Sequence, residues 1–510
     1  MDIAGQRTLY TCLRDHAARK PDAAWLAFEE EDGGIRRWSF AEGLGAVHQA
    51  ARFLQAHGIG PGHVVNLHLA NHPAYPQLIL AASYLGATVL PSAPNASTEE
   101  IAYLLDHSEA RLVITTAELA PTIARLPAPA PRSVLTTAAY ESELARHPTT
   151  APLASPAASH VVQLLYTSGT TSRPKGVMLT DTALIYGAEV FRGATGLRED
   201  DHHLISLPLY HAAAQCHALW PSLVTGCRIT ITARFSGRRF FSQAVRHDCT
   251  MAALFGAPLR ILLSQPPHPD QTRHRLRNVT FAQNLTSVQY DEWHRRFRAP
   301  LQQLWGMTET TGLPLMSPLT GDRRLAAMGR PVVGYEVKIV DEAGREVGVD
   351  EPGQLIVRGT PGRTIMAGYL KNPEATARTL QQHADGVWLY SGDTVRGDAD
   401  GFVYFVDRGK DLIKRGGENI SSSEIEGVIA LLPAVADVAV IGLPDPIKDE
   451  AVAAVIVVKP GQTLAAAAVQ SHCAAHLSAF KVPEQVRFVE TLPRTSVGKI
   501  QKAIIRTWFA

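Results

Sequence analysis

The chain has 510 residues, 45% apolar and 19% charged, a balance of folded globular proteins that excludes a disordered or low-complexity chain. Lysine plus arginine (49) nearly equal aspartate plus glutamate (48), so the overall charge argues against a general nucleic-acid or anionic-membrane binder. This length exceeds what one compact core supports, so two or more domains are expected. The five cysteines, at 12, 216, 227, 249 and 473, show no paired spacing and imply neither a disulfide framework nor a structural zinc site. The segment Met1 to Arg7 lacks the apolar core of a signal peptide. Apolar runs such as Ala451 to Val458 are too short to span a bilayer, and a cytoplasmic protein is expected.

The first third alternates strand-like and helix-like segments. Val64 to Leu69 reads as a strand, Tyr75 to Leu85 as a helix, and Ala87 to Leu90 and Arg111 to Ile114 as further strands. Such alternation predicts a mainly parallel sheet covered by helices. Two Ala/Pro-rich stretches, Ala120 to Pro131 and Pro148 to Ala158, read as surface connections. The run Val161 to Leu165 predicts a buried strand, and it leads into Tyr166-Thr167-Ser168-Gly169-Thr170-Thr171-Ser172-Arg173-Pro174-Lys175-Gly176. A loop leaving a strand with hydroxyls, free backbone N–H groups and one ammonium suits a polyphosphate. It lacks the second glycine and the Gly-Lys-Ser/Thr ending of the common P-loop. Composition alone fits a plain surface loop equally well.

Further along, Leu304-Trp305-Gly306-Met307-Thr308-Glu309 joins an aromatic plate and a glycine to a threonine and a carboxylate. The glycine would let a planar ring lie against the backbone, and Glu309 could hold a magnesium ion. Alone, the same residues read as a helix start with Thr308 as N-cap. After Gly321, Gly329 to Val340 and Gly353 to Gly359 read as short strands of a β-rich subdomain. Leu389 to Asp393 reads as a strand ending in a carboxylate fit for ribose hydroxyls, with Arg408 placed to complete the grip, although a lone Gly-Asp is usually a turn. A charged run from Asp407 to Gly417 precedes a helix (Ser423 to Leu432), strands Asp437 to Ile441 and Ala451 to Val458, and a helix near Thr463 to Leu477, which together suggest a separate α+β domain. Near the C-terminus, Gly498-Lys499 puts a lysine after a glycine turn, which alone would be a solvated surface charge.

Taken in this order, the four segments resemble the adenylate-forming superfamily of acyl-CoA synthetases, luciferases and peptide-synthetase adenylation domains, over essentially the whole chain. Stretches such as Gln265-Pro266-Pro267, Tyr404-Phe405-Val406-Asp407-Arg408 and Ile413 to Asn419 are most similar to the crotonobetaine/carnitine-CoA ligase group. The resemblance implies a multi-domain α/β fold. Residues 1–409 would form a large N-terminal domain of two β–α sheet subdomains and a small β-rich one. Residues 410–510 would form a small mobile α+β domain hinged near Lys410. It implies an AMP-forming acid–thiol ligase using ATP, Mg2+ and coenzyme A on a carboxylic acid. Thr167, Ser168, Gly169, Thr170, Thr171 and Lys175 would then hold the β- and γ-phosphates, Glu309 magnesium, and Thr308 the α-phosphate. Trp305 with Gly306 would take adenine, and Asp393 with Arg408 the ribose. Lys499 would bridge carboxylate and α-phosphate, and Gly416-Gly417 would line the pantetheine path.

The same resemblance places His211 at the mouth of the acyl pocket and Ala282, Gln283 and Asn284 on its wall. Small residues at 212–214 and 282 suggest a bulky or polycyclic acid. Three departures stand out: Ser172 where glycine is usual, Gln283-Asn284 in place of small residues, and Trp305 where tyrosine is commoner. They leave open an enzyme that only thioesterifies a supplied adenylate. No aspartate lies between Leu204 and Gly226, which disfavours an amino-acid substrate. Loading of a separate carrier protein and a homodimer both stay open, and a non-enzymatic binding protein is disfavoured because Lys175, Glu309, Asp393, Arg408 and Lys499 are all present.

Overall fold

Helix Ala74–Leu85 shows how the sequence builds the larger part of the molecule. It is apolar on nearly every side, and only Tyr84 escapes full burial, as expected of a helix enclosed by other elements. Gly86 stops it at φ 75°, donating its N–H to the Ala82 carbonyl, and the chain enters the strand Thr88–Ser92.

The computed structural model describes residues 3–127, 132–152, 154, 158–167, 173–282, 285–408, 411, 413–415, 418–445, 449–495 and 500–509, with backbone alone at 408, 414, 418 and 419. The chain divides into two compact units. The first comprises Met1–Thr167, Lys175–Val337 and Val357–Leu389, and the second Ser168–Pro174, Lys338–Ile356 and Tyr390–Ala510.

The first unit contains a seven-stranded sheet ordered Gly368–Tyr369, Lys175–Thr180, Val161–Thr167, Thr88–Ser92, Val64–His68, Ala110–Thr115 and Ser133–Thr136. From Val161–Thr167 onward its neighbours pair in parallel, as the β–α alternation predicts. A second run of strands follows the order Leu301–Trp305, Asn278–Ala282, Met251–Phe255, His202–Ile205, Arg228–Thr232 and Ala24–Glu29, also parallel. Behind it, Phe240, Phe241, Trp293 and Phe297 pack into one aromatic core. The expected surface connection after Ala120 is corrected: it carries a short helix, Ala120–Ala124, because Ile123 is buried against the first sheet.

In the second unit, strand Asp449–Val458 lies between Val435–Asp445 and Gln485–Val489. Its side chains alternate with period two. Val452, Ala454 and Ile456 enter one core with helices Ser422–Ile429 and Ala466–His476, and Ala453 and Val455 enter another with Leu492 and Ile505. No helix among the described residues is long and apolar enough to cross a membrane.

Candidate active site

Strands Val161–Thr167 and Lys175–Thr180 run antiparallel, with Thr167 directly opposite Lys175. The described ends of the hydroxyl-rich segment, Thr167 and Lys175, are therefore fixed by the sheet. Of that loop, Ser168, Gly169, Thr170, Thr171 and Ser172 lie outside the described residues, as do Gln283, Asn284, Lys410, Gly416, Gly417 and Lys499.

The Lys175 ammonium stands 4.3 Å from the centroid of the Tyr369 ring. Tyr369 sits on the short strand Gly368–Tyr369, paired with Val177, and its hydroxyl donates to Glu309 Oε1 at 2.8 Å. Burial, and then the Glu309 charge, push the Tyr369 phenol far above its usual range, so it remains a proton donor. Lys175 and Glu309, far apart in sequence, are thus connected through one buried phenol. Sequence reasoning missed Tyr369. Just before it, Gly368 takes φ 142°, and a Cβ there would meet Thr376 Cγ2 at 3.0 Å, so the approach to the aromatic residue is constrained.

Glu309 is 5% exposed and lies in a single 3-10 turn, Thr308–Thr310, rather than at the start of a longer helix. The turn is tied on several sides. Met366 N donates to the Glu309 carbonyl at 2.8 Å, Met307 N donates to Thr310 Oγ1 at 3.1 Å, and the buried Tyr335 hydroxyl donates to the Thr310 carbonyl at 2.9 Å. Thr311 closes it at φ 56°. Gly306 is required first by the chain's own return: a Cβ there would meet the Gly312 carbonyl oxygen at 2.5 Å. Trp305 ends the strand Leu301–Trp305 and is 8% exposed.

Asp393 and Arg408 are direct cross-strand partners in the hairpin of Gly386–Gly397 and Val403–Arg408. The expectation that Asp393 ends a strand is corrected. Gly392 takes φ 76° without terminating the pairing, because Ser391 Oγ accepts from Asp393 N at 3.1 Å and carries the chain through.

His211 lies between the strand His202–Ile205 and a helix beginning at Ala212. It caps the first turn of a helix, its Nδ1 accepting from Ala213 N at 3.1 Å, and its ring meets Phe255 edge-to-face at 5.2 Å. Ala282 ends the strand Asn278–Ala282, half-buried against a cluster of Phe191, Leu304, Leu313 and Met316. The helix that His211 caps continues from Ala212 to Thr225 with a π-helical turn, Gln215–Leu219, inside it.

This arrangement offers a cation and a buried carboxylate joined by a phenol, the chemistry of a site for an anionic, metal-paired ligand. Comparison with known proteins bears on the same residues. The AMP-binding enzyme family matches residues 13–370, and the AMP-binding enzyme C-terminal domain matches 424–499. The crotonobetaine/carnitine–CoA ligase of Proteus mirabilis is 35% identical over 518 residues, covering 98% of this chain and 99% of that one. The ATP-bound MatB structure from Rhodopseudomonas palustris superposes with a TM-score of 0.89 at 26% identity, covering 99% of both chains. The Bacillus subtilis O-succinylbenzoate coenzyme A synthetase, in complex with ATP and magnesium ion, gives 0.85 at 26% identity over 97% of this chain and 98% of that one.

Proposed function

The chain belongs to the AMP-binding enzyme family, among its AMP-forming CoA ligases, and from that premise we propose that it converts a bulky or specialised carboxylic acid, through its acyl-adenylate, into the coenzyme A thioester. The observation that supports this most is the Lys175–Tyr369–Glu309 connection, which sets phosphate-directed and metal-directed groups side by side. A cytoplasmic setting, where ATP and coenzyme A are available, completes the reading.

In the first half-reaction an acid oxygen attacks the α-phosphorus of ATP, and the bond to the β-phosphate breaks to release pyrophosphate. Both reactants are anions, so alignment and charge neutralisation carry most of the rate enhancement. Thr167, Ser168, Gly169, Thr170, Thr171 and Lys175 take the β- and γ-phosphates, and Thr308 the α-phosphate. Trp305 with Gly306 takes adenine, and Asp393 with Arg408 takes the ribose hydroxyls. His211 stands at the acid's carboxylate, and Lys499 neutralises charge between carboxylate and phosphate. Glu309, a buried hard-oxygen donor held from one side by Tyr369, fits Mg2+, which when bound would neutralise phosphate charge. In the second half-reaction the coenzyme A sulfur attacks the acyl carbon and AMP leaves. Residues 410–510 turn about Lys410 between the two halves, bringing Gly416-Gly417 to the pantetheine path.

Separate assays of the two halves across a library of linear and polycyclic acids test this. Acid-dependent pyrophosphate exchange followed by thioester formation is expected, with bulky acids preferred. Acceptance of small linear acids alone would remove the bulky substrate. Thioester formed only from synthetic adenylate, without exchange, would replace the proposal with a thioesterification-only enzyme. A holo-carrier protein preferred over coenzyme A would reassign the acceptor.

A further inference from the structure

The π-helical turn Gln215–Leu219 holds one residue whose surroundings differ from those of its neighbours. Gln215, Cys216, Ala218 and Leu219 are buried. Gln215 is matched at both ends of its amide: Oε1 accepts from Gln163 Nε2 at 2.7 Å, and Nε2 donates to the Leu209 carbonyl at 2.7 Å. His217 is different. It retains accessible surface, yet its surroundings are so poor in solvent that burial pushes its pKa down to about 4. Neither imidazole nitrogen has a hydrogen-bond partner among the described residues, and its one ring contact is a stack on Phe191, centroids 6.1 Å apart and planes 9° from parallel. A neutral imidazole carries one donor and one acceptor, and buried polar groups left unmatched by protein are matched by water or ligand.

Its contacts lead to residues of the proposed acyl site. Phe191 belongs to the buried cluster against which Ala282 packs, and His211 caps the helix on which His217 lies. π-Helical turns inside α-helices also recur at functional sites, because the inserted residue displaces a side chain from the regular helical register.

We infer that His217 recognises the tail of the acid, hydrogen-bonding an uncharged polar group (hydroxyl, carbonyl or amide) carried away from the reacting carboxylate. This rests on the acyl-CoA ligase reading and adds the class of acid. A tail of plain hydrocarbon leaves both nitrogens unmatched. A quaternary ammonium tail meets a neutral donor–acceptor pair where it needs a carboxylate or an aromatic cage.

The test uses three acids matched in length, ending in a primary amide, a methyl group or a quaternary ammonium, with kcat/KM for thioester formation by the full chain. The amide-ended acid is expected to exceed the methyl-ended one by about tenfold or more. His217→Leu is expected to erase that ratio, and His217→Gln, which keeps a donor and an acceptor, to restore most of it. Equal use of the amide and methyl acids, preference for the ammonium, or a preference unchanged in both variants overturns the inference and leaves His217 holding only water. Should no acid be activated at all, the ligase reading fails. The tail preference is then read from equilibrium binding of the same three acids to the wild type and the Gln variant, and equal binding overturns it.

Discussion

Asp181 is a carboxyl the fold leaves half matched. Its Oδ1 accepts from Leu9 N at 2.7 Å and from Ser83 Oγ at 2.8 Å, so it ties helices Leu9–Arg19, Ala74–Leu85 and Asp181–Thr195 together. Its Oδ2 accepts no hydrogen bond among the described residues and faces His160 Nδ1 at 3.6 Å. Burial outweighs these partners and pushes its pKa up to about 6. In the unfolded chain the group titrates near ~3.9. The folded state therefore holds the proton more tightly, and its contribution to stability is complete below about pH 4 and lost as pH rises to about 6. Asp181→Asn removes the titration while keeping an acceptor for Leu9 and Ser83. Chemical denaturation at intervals from pH 4 to 7 should show the wild type losing stability relative to this variant as the pH rises. Parallel profiles would refute the assignment. Nothing in the sequence marked Asp181, Tyr369 or His217, because what distinguishes them is the company folding gives them: Tyr369 meets Glu309 from sixty residues away, and Asp181 Oδ2 is buried without a hydrogen bond among the described residues. Lys175 and Glu309 were legible because their neighbours form motifs.

At the scale of elements, strands and helices with strict periodicity were legible and sharp backbone returns were not. Val161–Thr167 and the two-faced strand Asp449–Val458 follow from runs of apolar residues. The turn carrying Glu309 does not, because its shape is set by contacts from Tyr335 and Met366, distant in sequence. Two glycines separate the cases. Gly193 lies on helix Asp181–Thr195 with open space where a Cβ would stand, so Gly193→Ala should stabilise by about 1 kcal/mol through helix propensity alone. Gly306→Ala drives its Cβ to 2.5 Å from the Gly312 carbonyl oxygen, and backbone must give way. Overpacking of this kind costs about 1–3 kcal/mol. The displaced turn carries Glu309, so acid-dependent pyrophosphate exchange should fall about 100-fold. Thermal melts and exchange rates of the two variants decide it: a Gly306→Ala protein with wild-type exchange would show that the turn's position does not matter to the first half-reaction.

Across the whole molecule, the legible part was the sequence of motifs and the sheet classes. The extent of each body was less so, because a chain that leaves a unit and re-enters it, as at 338–356 and 357–389, gives no local signal of the return. The described C-terminal sheet has apolar cores on both faces of Asp449–Val458, which is the internal support that the proposed movement of residues 410–510 as one body requires. Under the proposed boundary at 409/410, that freedom lets one chain present Lys499 for adenylation and withdraw it for thioester formation. Lys499→Ala therefore separates the halves. Loss of one fixed charge-neutralising group at an anionic transition state should lower adenylation by about 10²–10³-fold or more. Thioester formation from preformed adenylate should stay within a fewfold of wild type, because the proposed rotation withdraws the lysine from that step. Single-turnover measurement of each half gives the ratio directly. Equal loss in both halves would mean that Lys499 serves one undivided site, and the rotation about Lys410 would have no role to perform.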